Sequence, residues 1–247
     1  MTSGAIEALR ADRAALLDIC RGFGDAQWKA PSGCAGWSVQ DVVAHVGALY
    51  WLVVDPSVLP DTTGVPTEQA QDLCVEARRS WSAKQVVDDY AAVSEKALDA
   101  LAGLEAQDFE LPLGDLGTYH AARLPNAYAF DHYTHIRADL FSPRGPLEGP
   151  PPSDELRLEP TLDWIQAAAP QQNAELLAEL DGSLLIEVEG TAARSFTIGT
   201  GDMAATVTCS AHDLVLWSTQ RASWDDVEVT VTGRDEAVTA ARRLHVF

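Results

Sequence analysis

At 247 residues and 47% apolar, the chain can bury a sizeable core, and its length suits one large or two small domains. Its formal charge is −20, with 37 acidic against 17 basic residues spread along the chain, which argues against nucleic acid or an anionic membrane as partner and for small molecules. The four cysteines, Cys20, Cys34, Cys74 and Cys209, include no closely spaced pair, so neither a zinc knuckle nor a disulfide framework is indicated and a reducing cytoplasm is the expected compartment.

The first expected helix runs from about Ser3 to Cys20, with Ile6, Leu9, Ala14, Leu16 and Leu17 at helical spacing. Charges throughout it exclude the continuous apolar centre of a signal peptide. A second helix should start at Ser38, where SVQD reads as a capping box and Trp37 is placed to pack on Val42 as a hydrophobic staple. Its body, VVAHVGALYWLVV, is apolar almost all round, which predicts burial among other helices, and it is too short to cross a bilayer. His45 lies inside that run and, once desolvated, requires a partner. A third helix is expected over Ala83 to Leu104, with Val86, Val87, Tyr90, Val93, Ala97, Leu98 and Leu101 on one stripe. A fourth, from about Thr118 to Leu140, would project His120, Leu124, Tyr128, Asp131 and His135 from one face.

Residues four apart on a helix stand one above the other, so Asp131 and His135 can reach one ion while His45 supplies a third ligand from another helix. Two imidazoles and a carboxylate leave a fourth position open, as catalytic zinc requires. The same residues also fit a core histidine bonded through its ring and a favourable surface pair, and His132, about a quarter turn from Asp131, is the spare ligand.

The segment SPRGPLEGPPPS, Ser142 to Ser153, carries five prolines and two glycines and reads as a domain linker. Short helical pieces broken at Pro160 and Pro170 are expected over Thr161 to Leu180, followed by a change of period. LLIEVEG, RSFTIG, AATVTCS and VEVTVTG read as strands, and AHDLVLWST and RDEAVTAARRL as helices, which makes the second part a small α+β unit.

The stretch PSGCAGWSVQDVVAHVGALY resembles the N-terminal signature of the DinB-like helical bundles grouped with mycothiol-dependent maleylpyruvate isomerase, in which a Gly-Trp-Ser/Thr-Val turn precedes an Asp-x-x-x-His helix. AFDHYTHIRADL resembles that family's second signature, Glu-x-x-x-His-Arg-x-Asp. The resemblance implies an α+β protein with a metal-binding four-helix bundle over residues 1–141, a linker over 142–153 and a sterol-carrier-like domain over 154–247. It implies His45, Asp131 and His135 as ligands of a divalent ion, zinc ahead of nickel, and mycothiol as the thiol cofactor. Arg221 and Arg123 are then candidates to bind the sugar and inositol of that thiol in a cleft beside the bundle, and Tyr128 and His120 are candidate acid/base groups. Arg137 and Asp139 are expected to anchor the fourth helix, and Cys34, with no base in view, to be an inert thiol.

Two departures from the family pattern stand out. Asp131 replaces the usual Glu and is one methylene shorter, so the helix must approach the ion more closely or bind it through water; Arg221 lacks the glycine that commonly precedes the arginine. The expected activity is thiolate addition to a small organic electrophile, giving cis/trans isomerisation of a maleylpyruvate-like substrate or S-transfer. A non-catalytic ligand-binding protein and a DinB-like metallohydrolase stand as alternatives. No nucleic acid or membrane partner is expected, and the chain is expected to be a monomer or homodimer.

Overall fold

A computed structural model describes residues 3–247 and divides them into two compact units that meet after Pro152. In the first unit the long helices are α1 (Ser3–Arg21), α3 (Val39–Val54), α5 (Ala83–Leu104) and α6 (Leu124–Thr134), with the short α2 (Asp25–Trp28) and α4 (Thr67–Glu76) between them. α3 begins as its sequence dictates: the Ser38 hydroxyl accepts the Asp41 amide at 3.2 Å, and the Asp41 carboxylate accepts the Ser38 amide at 2.8 Å. Its two faces are both covered, with Val39, Val42, Val43 and Val46 fully buried. Most of the stripe expected on α5 is buried, from Val86 through Tyr90, Val93, Ala97 and Leu98 to Leu101, while Val87 is only half-buried. On α1, however, Ala14 is exposed and Asp12 is buried, held by a partner described below. α4 escaped the sequence reading because its polar face is broad and only Cys74 and Val75 are buried.

The fourth helix is shorter than expected. Thr118–His120 is strand β2, paired antiparallel with β1 (Glu110–Pro112), and α6 starts only at Leu124. Pro125 in its first turn explains the start, because proline needs no amide partner there and its fixed φ suits helix initiation. The helix then widens into a π turn over His135–Leu140, a rare element that recurs at functional sites. The proline-rich segment folds back on this end of the bundle: Leu147 donates its amide to Leu140, Gly145 to Phe141, and the Pro152 carbonyl accepts Arg137.

The second unit opens with α7 (Glu155–Gln172), followed by α8 (Ala174–Glu179). Pro160 and Pro170 were expected to break this region, yet both lie inside the single helix α7. Burial of Leu158, Leu162, Trp164, Ile165 and Ala168 on one side outweighs the two missing amide donors. Strands β3 (Ser183–Glu189), β4 (Arg194–Gly199), β5 (Met203–Ser210) and β6 (Val229–Gly233) form one sheet in the order β4-β3-β5-β6, with only the β3–β5 pair parallel. Helices α9 (Ala211–Ser218) and α10 (Asp235–Arg242) complete the unit. The fold class is α+β, as expected.

Candidate metal centre

His45 comes from the middle of α3, Asp131 from α6 and His135 from the start of the π turn, and their donor atoms gather within 4.8 Å of one another. One carboxylate oxygen stands between the two rings: Asp131 Oδ1 is 3.3 Å from His45 Nε2 and 3.5 Å from His135 Nε2. The rings meet edge to face with centroids 4.6 Å apart. Trp37, which precedes the Ser38 cap, lies against both, its ring centred 5.0 Å from His45 and 6.3 Å from His135, while its indole N–H donates to Asp72.

Asp139 accounts for the other side of His135. Its Oδ2 is 2.8 Å from His135 Nδ1, and the residue is wholly buried. Asp139 was expected only to anchor the helix; the spacing that drew attention to Asp131 and His135 recurs between His135 and Asp139 and was the available signal. Arg137 does anchor the segment, through a bidentate pair with buried Asp12 at 2.8 and 3.1 Å. Cys34 also departs from its reading as a thiol with no base nearby, since its Sγ lies 3.7 Å from His135 Nδ1. Gly33 permits that approach: its amide donates to the Asp139 carbonyl at 2.7 Å, and a β-carbon there would sit 2.8 Å from Asp139 Oδ1.

The electrostatics follow from the packing. Burial pushes the Asp131 carboxyl up, but the facing His135 and His45 outweigh it and hold the group well below the usual range. Burial likewise pulls the His135 imidazole down, and Asp131, reinforced by Asp139 and Cys34, reverses this and raises it well above 6.5. His132 points into the core instead. Its Nδ1–H donates to the Tyr128 carbonyl at 3.1 Å, its ring packs 4.9 Å from Tyr50, and burial lowers its pKa.

None of the other candidates is a member of this donor group among the described residues. Tyr128 lies on α6, where its hydroxyl donates to the Leu49 carbonyl at 2.7 Å and burial raises its pKa, so it ties α6 to α3. His120 sits on β2 beside exposed Asp108 at 3.2 Å, off the helix face expected of it, because Pro125 delays the helix. Arg123 is exposed just before α6. Arg221 follows α9 in the second unit and donates to the Thr219 carbonyl at 3.3 Å.

A helical bundle carrying a buried His/Asp/His donor cluster, followed by a mixed-sheet unit, defines the class. The chain belongs to the mycothiol maleylpyruvate isomerase N-terminal domain family, whose model matches residues 9–141. Two solved structures share the fold over 95% of this chain and 94% of theirs, at 15% identity: a mycothiol-dependent maleylpyruvate isomerase with a TM-score of 0.62, and a histidine-to-alanine variant of such an enzyme with a TM-score of 0.60. A comparison with curated proteins returned no match.

Proposed function

We propose that this chain is a metal- and mycothiol-dependent enzyme that adds a thiolate to a small organic electrophile, by cis/trans isomerisation of a maleylpyruvate-like substrate or by S-transfer. The observation that carries the metal is the position of Asp131 Oδ1, 3.3 and 3.5 Å from two ring nitrogens of different elements. Neighbouring donors around tetrahedral zinc stand about 3.3–3.5 Å apart when each is about 2.0–2.2 Å from the ion, so these two separations fit the group. The shorter aspartate therefore still reaches. Mycothiol is supported by family membership and by the two structures of similar fold, both of mycothiol-dependent enzymes.

When bound, a divalent ion at this centre lowers the pKa of a coordinating thiol and polarises a carbonyl. His45 and His135 would hold it through Nε2, and Asp131 through Oδ1. Asp139 keeps the His135 proton on Nδ1, which turns the Nε2 lone pair toward the centre. The Trp37 ring covers both imidazoles on one side and shields them from water. Arg221 and Arg123 are the proposed donors to the hydroxyls of the thiol.

The test is elemental analysis of the purified chain beside His45→Ala and Asp131→Ala, with substrate geometry followed by NMR in the presence and absence of mycothiol. Near-stoichiometric zinc or nickel, lost in both variants, and turnover only with the thiol are expected. A parent chain that stays empty after exposure to both ions overturns the proposal, and metal-dependent turnover by water alone replaces it with a hydrolase.

A further inference from the structure

His135 presents two nitrogens, and only one belongs to the donor set above. On the opposite edge of its ring, Cys34 Sγ, His135 Nδ1 and Asp139 Oδ2 form a second group whose atoms lie within 4.8 Å of one another. The sulfur is 3.7 Å from Nδ1, and the carboxylate oxygen is 2.8 Å from it. For a tetrahedral ion about 2.3 Å from sulfur and about 2.0–2.1 Å from nitrogen and oxygen, those separations become about 3.6 and about 3.3 Å. The sulfur edge already matches, and the carboxylate has to withdraw by about 0.5 Å.

The group is held in place from outside. The Gly33 amide bonds to the Asp139 carbonyl, and Arg144 reaches both the Gly33 carbonyl and, at 3.7 Å, Asp139 Oδ1, which leaves Oδ2 directed at His135. Cys34 is also the most accessible cysteine: Cys20, Cys74 and Cys209 are buried, and burial pushes the Cys20 and Cys209 thiols up to about 12.

We propose that Cys34, His135 and Asp139 form a second metal site, selective for thiophilic cations such as cadmium or cuprous copper, and that filling it withdraws His135 from the His45–Asp131 set. Replacing an imidazole by a thiolate shifts preference toward softer ions. The exclusion follows from the ring: a neutral imidazole carries its proton on one nitrogen and a lone pair on the other, so it serves one ion at a time. Sharing one histidine, the two sites are alternatives, and a thiophilic ion acts as an inhibitor that releases the harder one.

The test is titration of the full chain with cadmium, reading the ultraviolet sulfur-to-cadmium charge-transfer band. One equivalent of band is expected in the parent and in His45→Ala, and none in Cys34→Ser. In the parent chain cadmium should also protect Cys34 from iodoacetamide, scored by mass spectrometry, a reading that needs no variant. Absence of the band, its persistence in Cys34→Ser, or its loss in His45→Ala, which would put the sulfur in the first set, each overturns the proposal. Zinc content of the parent reports separately on the enzyme reading.

Discussion

The two units bury different kinds of side chain. Within the first, Asp12, Asp41, His45, Arg78, His132, His135, Arg137 and Asp139 are all buried. Within the second, the buried polar residues are Thr161, Asn173, Ser183, Ser218 and Thr219, none of them charged. Burying an ionisable group is costly unless it is paired and hydrogen-bonded, so ordinary core packing does not account for such a concentration. The second unit is held by apolar burial and backbone pairing; the bundle carries, in addition, a chain of ionisable groups running through Asp131, His135 and Asp139. That contrast marks the bundle as the place for the proposed chemistry, on grounds separate from any family relationship.

The contrast can be broken most severely at the pair that supports the π turn. Arg137→Ala leaves Asp12 buried without its guanidinium and is expected to destabilise the bundle by about 3–5 kcal/mol, measured by urea unfolding. Leu162→Ala on α7 is the matching change in the second unit. As an apolar truncation it should cost about 2–5 kcal/mol while leaving metal stoichiometry unchanged in the folded protein. If Leu162→Ala instead emptied the metal site, the division of labour between the units would be wrong.

A finer test is Asp139→Asn, which keeps the shape but weakens the acceptor on His135 Nδ1. Metal affinity should fall by about 10–100-fold, and the metal-free protein should melt lower as well, because the same carboxylate supports the raised pKa of His135. Unaltered affinity would return Asp139 to the anchoring role first read for it.

The smallest expected effect is on pH. His135 has its folded pKa raised above 6.5, so its contribution to the metal-free protein is complete below that value and is lost as pH rises through the folded pKa. Asp131 has its folded pKa lowered from 3.8, so its contribution is present above that value and is lost as pH falls. Thermal stability of the metal-free chain should therefore have a plateau between 3.8 and 6.5 and decline on the alkaline side. Zinc should reverse that alkaline decline, because an ion takes the neutral imidazole. His135→Gln should remove the pH dependence above 6.5.

Much of this molecule is local and therefore readable in one dimension. Ser38 and Asp41 cap α3 through bonds that span three residues, the α5 stripe declares its buried face by period, and β-branched residues mark β3 to β6 as strands. Local spacing also brought Asp131 and His135 together and marked His45 as a buried group in need of a partner. What required the folded chain were relations between distant segments: Asp131 Oδ1 between the two rings, Trp37 over them, Cys34 and Gly33 against Asp139, and Asp12 under Arg137. The continuity of α7 through two prolines and the widening of α6 into a π turn belong to the same group, since packing overrode local preference in the first and π-helical geometry displaced the regular period in the second. Caps and stripes are settled by neighbours a few residues apart, whereas a donor cluster is settled by how closely two helices approach, and that distance is a property of the packed core.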